Sequence, residues 1–440
     1  MDKIKQETSS GKSSIEFVKR GKGTRNRKSS ASGLSSRQRV QMALNHQETD
    51  RVPIDFGASR ITGISAIAYK KLCQQLGVQE TIKLYDIKQQ LADPSLAMID
   101  AMGSDVVQLH RLGPTTGMPF LRMDAWKQGQ LTDGTACLVP DAYEPVFRDD
   151  GTIDVLYDGE VFAQRTPASL YFDICSAPLK NARSKADIDR YEFPDPWTQR
   201  EEDFLKAEIQ RLYYGTDKAL FAGLPTLNGS FLEISAVLFG YEQFMMNMVT
   251  CRDMMEHWLD RLLKHDLEIL ERFLAVTGDY IAAIQMNDDF GAQEALQVSP
   301  QMYREIFKPR QQQWIEFVKA RTEAKIFIHC DGAVEEILPD FIDIGIDILN
   351  PLQTNAKGMN PETIKNKYGR HLTFWGGGVE TQTTLPFGSV EAIRDEVRQR
   401  IQLLGKGGGY VFGTIHNIQA DIAPEKILAV FNTANEYQIL

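Results

Sequence analysis

A chain of 440 residues, 42% hydrophobic and 25% charged, can hold one large barrel or two to three ordinary domains and has the balance of a folded globular protein. Its formal net charge of −10 argues against general nucleic-acid binding, which needs a basic surface. No apolar stretch approaches the roughly 20 residues of a membrane-spanning helix.

Residues 1–34 differ in character from the rest of the chain. The stretch GKSSIEFVKRGKGTRNRKSSASG is rich in Lys, Arg, Ser and Gly, offers little to bury and is expected to form a disordered basic tail. The N-terminus lacks the apolar core of a secretory signal. Cys73, Cys137, Cys175, Cys251 and Cys330 are odd in number and scattered, which is no disulfide framework. A reducing, cytoplasmic setting is expected.

From residue 35 onward, short apolar runs alternate with longer amphipathic stretches. SSRQRVQMALNH opens on serines and places Val40, Ala43 and Leu44 on one face. The runs are RVPIDF (51–56), DVVQLH (105–110), ALFAGL (219–224), YIAAIQM (280–286), KIFIH (325–329), IDILN (346–350), LTFWG (372–376) and GYVFG (409–413). They are continuous rather than alternating, as parallel strands covered on both faces require. ISAIAYKKLCQQLGV (64–78) reads as a helix before the second run. Between 113 and 172, TDG and DDG turns separate alternating residues, and the pattern predicts inserted β-hairpins over a barrel mouth. Ser299 and Pro300 form a paired helix start, and Pro309 is expected to kink or end that helix. Gly345 is a C-terminal cap. Ser389 caps a helix with the stripe Ile393, Val397 and Ile401, stopped by Gly405. Eight such alternations predict an α/β fold, a single (βα)8 barrel, with a doubly wound open sheet as the alternative.

In such a barrel the chemistry belongs to the loops after the strand C-termini. Those loops carry Asn228 and Glu233; Asn287, Asp288, Asp289 and Gln293; His329, Cys330 and Asp331; Asn350 and Gln353; Trp375 in WGGGVET; and His416 and Asn417. Residues i and i+2 at a strand end point the same way, so His329 and Asp331 can share an ion while Cys330 faces the opposite side. His416 completes two imidazoles and a carboxylate, a set that suits zinc with an open position and equally iron or manganese. A one-residue shift would make Cys330 the ligand instead. Asp289 and Glu233 are candidate further ligands or proton donors. Asn287, Gln293, Asn350 and Gln353 are candidate polar contacts to substrate, and Trp375 a candidate pocket wall. Arg60 and His110 can hold a substrate carboxylate. The glycine run of WGGGVET fits an anion cradle or simply a tight turn.

From about Ser35 to the end the chain resembles the uroporphyrinogen decarboxylase superfamily, and more closely its corrinoid-dependent methyltransferase branch. RQRVQMALNHQETDRVPIDFG, GSFLEISAVLFGYEQF, DDFGAQEALQVSPQMYREIFKP, HCDGAVEEILPDFIDIGIDILNPLQ, LTFWGGG and HNIQADIAPEKI carry the likeness. It implies a (βα)8 barrel over 35–440. In those methyltransferases zinc is held by a His-x-Cys pair and a later Cys, which fall here on His329, Asp331 and His416. Two thiolates are thus replaced by a carboxylate and an imidazole, a harder donor set suited to polarising an ether or alcohol oxygen. The resemblance implies methyl transfer between an O-methylated small molecule and the cobalt of a corrinoid. No Asp-x-His-x-x-Gly cobalamin signature occurs, so the corrinoid is expected on a separate partner protein. No nucleic acid and no membrane is expected as partner. True uroporphyrinogen decarboxylases carry an arginine-rich first loop and an aspartate after the second strand; this chain has only Arg60 and then His110. A decarboxylase acting on another acid and a non-catalytic binding barrel are the alternatives.

Overall fold

The computed structural model describes residues 33–113, 118–193, 197–226 and 230–437. Residues 1–32 of the basic tail, and Asn228, lie outside them. Seven of the eight apolar runs are strands of one parallel sheet. They are β1 Val106–Gln108, β2 Ala219–Ala222, β3 Ile281–Asn287, β4 Lys325–His329, β5 Ile348–Asn350, β6 Thr373–Trp375 and β7 Tyr410–Val411, hydrogen-bonded in that order. The remaining run, residues 51–56, bridges the two edges. Ile54 makes a parallel bridge to Phe412, Phe412 N donates to Pro53 O at 2.8 Å, and Asp105 N donates to Ile54 O at 2.7 Å. The curled sheet is thereby a TIM-barrel-like fold, as the alternating pattern predicts.

Strand residues of one parity fill the barrel. Val106, Ala219, Phe221, Ala283, Phe327, Ile348, Trp375 and Val411 form one buried cluster. The other parity, including Val107, Leu220, Ile284, Ile326, Ile328, Leu349 and Phe374, packs outward against the helices. Both faces are dry, which is why the runs read as continuous.

The helix starts follow their caps. In α1, Ser36–Leu44, Ser35 and Gln38 form a reciprocal capping box, with Val40, Ala43 and Leu44 buried. The helix α2, Ala66–Leu76, ends at Gly77. One expectation is corrected. Pro309 does not end the helix begun at Ser299 and Pro300: the chain widens into a π-helical turn over Tyr303–Phe307 and continues as α-helix over Lys308–Lys319. The wide turn shifts the register just ahead of Pro309, which then occupies the first turn of the next segment, where a missing N–H costs little.

Between β1 and β2, Trp126–Gln130 pairs antiparallel with Ala136–Pro140. Glu144–Phe147, Ile153–Tyr157, Glu160–Arg165 and Asp173–Ile174 make a four-stranded antiparallel sheet. Among the described residues no helix is long and apolar enough to cross a membrane.

At the N-terminal end of the barrel, the fully buried Asp105 carboxylate receives Arg39 Nη1 at 2.7 Å, Arg51 Nη1 at 2.6 Å and Ile54 N at 2.9 Å. It ties α1 and the closing segment to β1. Removing one partner of a buried ion pair leaves uncompensated charge. Asp105→Ala is therefore expected to lower unfolding free energy by about 3–5 kcal/mol, read as a shifted denaturant midpoint at unchanged slope.

Candidate metal centre

The C-terminal rim of β3, β4 and β5 is set by parallel register, which aligns Asn287 with His329 and His329 with Asn350. His329 closes β4 with its imidazole inside the barrel, 5% exposed. Its Nε2 lies 3.6 Å from Asp331 Oδ2 and 3.7 Å from Asp289 Oδ1. His416, on the loop after β7, brings its ring centroid to 6.3 Å from that of His329. One donor atom from each of His329, Asp331 and His416 lies within 4.8 Å of the others. Two imidazole nitrogens and a carboxylate oxygen at that spacing fit a divalent cation with room for an exogenous ligand.

The tautomer of His329 is fixed from behind. Asn350 Nδ2 donates to Trp375 O at 2.8 Å, so Asn350 Oδ1 is the atom that meets His329 Nδ1, also at 2.8 Å. An oxygen acceptor requires the proton on Nδ1, leaving the Nε2 lone pair toward the cluster. Trp375 Nε1 donates in turn to Asp55 Oδ2 at 2.7 Å.

Charge is distributed unevenly. Burial disfavours the cationic form of both imidazoles. At His329 the Asp331 and Asp289 carboxylates outweigh it and the net shift is upward; at His416 the net shift is downward, with burial the main cause. Burial, then the like charge of Glu233, pushes the Asp289 carboxyl up to about 8, and Asp331 adds to that shift. Asp289 Oδ1 accepts from Asp331 N at 2.8 Å. Asp288 is structural. Its carboxylate caps the helix α3, Leu232–Phe239, by accepting from Leu232 N at 2.7 Å and Glu233 N at 3.2 Å. That cap aims Glu233 at the rim, where Asn287 Nδ2 donates to it.

The family model for uroporphyrinogen decarboxylase (URO-D) matches residues 175–437. The chain belongs to the URO-D family. A methyltransferase from Methanosarcina mazei has the same fold, with a TM-score of 0.53 and 17% sequence identity over 92% of this chain and 99% of that one. No curated protein matches the sequence.

Within this URO-D barrel several residues singled out from the sequence sit elsewhere than expected. Cys330 faces away from the cluster, as strand alternation predicts and against the one-residue shift that would make it a ligand. It is 1% exposed, its Sγ accepts from Phe290 N at 3.3 Å, and burial drives its thiol well above the ordinary range. Trp375 is not a pocket wall: it is 1% exposed and packs inside the barrel against Phe221 and Phe327. Asn350 is fully buried and spends its amide on His329 and Trp375, so it orients the His329 imidazole and has no amide group left over for substrate. Gln353 accepts from Gly332 N at 2.7 Å and donates to Gln293 Oε1 at 3.1 Å; Gln293 donates to Asn355 O at 2.7 Å. Both anchor the loops after β3, β4 and β5. His110 Nε2 lies 3.5 Å from Asp93, with its ring against Tyr85. Arg60 reaches the mouth and pairs through Nε with Asp86 at 2.9 Å. The run Gly376–Gly378 is a tight turn, not an anion cradle: Gly376 N and Gly378 N are spent on Val411 O and Gly413 O, and a Cβ on Gly378 would collide with the Phe412 ring.

Sequence reasoning missed Asp55, Tyr85, Asp86, Lys88 and Tyr171. A lone aspartate inside the run RVPIDF was the available signal for Asp55; the others sit on short irregular segments without periodicity.

Two outcomes are expected from this geometry. Asn350→Ala should weaken divalent-cation binding about 10–100-fold while the circular dichroism spectrum stays that of the parent. Because a proton on Asp289 competes with the cation, Co2+ affinity is expected to climb as pH rises toward 8 and level off above it. Asp289→Asn flattens the upper part of that profile in the same titration.

Proposed function

We propose that this chain is the methyl-transferring subunit of a corrinoid system, moving a methyl group between an O-methylated small molecule and the cobalt of a corrinoid carried on a separate protein. The observation that carries the reading is the convergence of His329, Asp331 and His416 within 4.8 Å at the catalytic rim of a URO-D barrel. The fold shared with the Methanosarcina mazei methyltransferase supports it. A divalent cation at the cluster, Zn2+ by expectation, supplies Lewis-acid polarisation of the oxygen that carries or receives the methyl group.

The chain's own residues do the rest. His329 Nε2, a carboxylate oxygen of Asp331 and a ring nitrogen of His416 would hold the cation, and Asn350 keeps the His329 lone pair aimed. Asp289 sits beside them with its carboxyl titrating at about 8. Its Oδ1 is occupied by Asp331 N, so Oδ2 is the atom free to take up or release a proton beside an oxygen losing or gaining its methyl group. Glu233, held by Asn287 on the capped end of α3, contributes negative charge that keeps that proton in place.

Elemental analysis with a transfer assay tests this. The purified protein is expected to bind about one Zn2+ per chain, with His329→Ala and His416→Ala each losing it. Loaded protein mixed with a reduced corrinoid carrier and a methyl ether is expected to convert Co(I) to methyl-cobalt, followed by absorbance. Retained transfer in the metal-free His329→Ala protein would overturn the reading.

A further inference from the structure

Beside His416 lies a recess whose polar groups the methyl-transfer scheme leaves unused. Arg60, in the loop after residues 51–56, bonds Asp86 through Nε, but its Nη2 is buried and has no partner among the described residues. Tyr85, next to Asp86, is 3% exposed, and its hydroxyl is likewise buried and unpartnered. Lys88, three residues on, is half-buried and has no carboxylate within ion-pair distance among the described residues. Burial holds its ammonium below the ordinary lysine range, and the Arg60 charge adds to the effect. Asp86, Glu233 and Asp173 pull the other way.

The recess is tied to the metal centre. Asn417, adjacent to His416, donates to Gln89 Oε1 at 3.1 Å and to Arg60 O at 3.5 Å, and it accepts from the Tyr171 hydroxyl at 2.8 Å. The Tyr171 ring stands 6.5 Å from that of His416. Lys88 O accepts from Phe172 N at 2.8 Å, placing Lys88 on the same wall.

All three unspent groups can donate: a guanidinium N–H, a phenol O–H and an ammonium. Arg60 is balanced by Asp86, so the uncompensated costs are the Lys88 charge and two donors without acceptors, and a ligand that accepts hydrogen bonds and carries one negative charge recovers them. We propose that this recess binds the carboxylate of a small organic acid whose methylated oxygen, at its other end, reaches the His329–Asp331–His416 cluster. A carboxylate offers two acceptor oxygens to match Arg60 Nη2 and Tyr85, with Lys88 closing the charge balance. The identity of the far end rests on the methyl-transfer reading; the anion site does not.

Calorimetric titration of the full-length, Zn2+-loaded protein tests it, using para-methoxybenzoate and methoxyacetate against their neutral amides. At least one acid is expected to bind about tenfold or more tightly than its amide. Lys88→Met, which removes no side-chain hydrogen bond or ion pair among the described residues, should bring acid and amide to near parity with metal content and melting temperature unchanged. Tyr85→Phe should erode the preference several-fold, and Arg60→Gln should abolish it. The proposal is overturned if neither acid outbinds its amide, or if Lys88→Met keeps the full preference. Preferential acid binding without methyl transfer to a corrinoid carrier would sink the catalytic reading and leave this one standing. Transfer from a neutral ether with no acid preference would do the reverse.

Discussion

The rim of this barrel depends on strand register. Asn287, His329 and Asn350 stand side by side because β3, β4 and β5 pair in a single parallel alignment. Side chains alternate faces along a strand, so a slip of one residue in β4 would turn His329 into the helix layer and bring Cys330 to the mouth. The donor set, its tautomer and its neighbouring carboxyls all follow from that alignment. What holds it is apolar: Phe327 faces the barrel interior while Ile326 and Ile328 face the helices, and exchanging those faces would place Lys325 and His329 among hydrocarbon.

Behind the rim, polar contacts link regions far apart in sequence. Asp55 lies in the segment that closes the barrel, and it reaches His329 through Trp375 and Asn350 by three successive hydrogen bonds. Burial pushes the Asp55 carboxyl up to about 6, although it accepts from Ala58 N, Thr62 Oγ1 and Trp375 Nε1. A carboxyl placed among the large side chains of the barrel interior costs stability, and closing the barrel and aiming the His329 imidazole thus share one set of contacts.

Much of this was legible in the residues themselves. The apolar runs became strands or the closing bridge, and the caps at Ser35, Ser299 and Ser389 mark helix starts. The i, i+2 spacing of His329 and Asp331 correctly placed them on one side, and the barrel topology brought His416 to them. Amides were the hard case. Asn350, Gln353 and Gln293 look alike as rim residues in a sequence, yet each can satisfy backbone groups as readily as a ligand, and only packing decides which. Trp375 could wall a pocket or pack the barrel, and its 1% exposure against Phe221 and Phe327 gives the second. Pro309 distorts the helix without ending it, because a π turn just upstream absorbs its effect. The recess around Arg60 was only partly visible, since Tyr85 and Lys88 sit on a hairpin too short to show a period.

The two sides of the His329–Asp331–His416 cluster are built from different materials. On one, Gly291 and Gly332 press backbone against backbone so closely that a Cβ on Gly332 would meet the Gly291 carbonyl carbon at 2.5 Å, and a Cβ on Gly291 would run into the Asp331 carbonyl oxygen. On the other, His416 is flanked by a web of side chains, Asn417, Tyr171 and Gln419. Main-chain contact leaves no room for drift, whereas amides and phenols can be exchanged singly. Divergence among barrels of this design should therefore run lopsidedly, with the Asp289–Asp331 flank frozen and the His416 flank free to be recut for molecules of new outline.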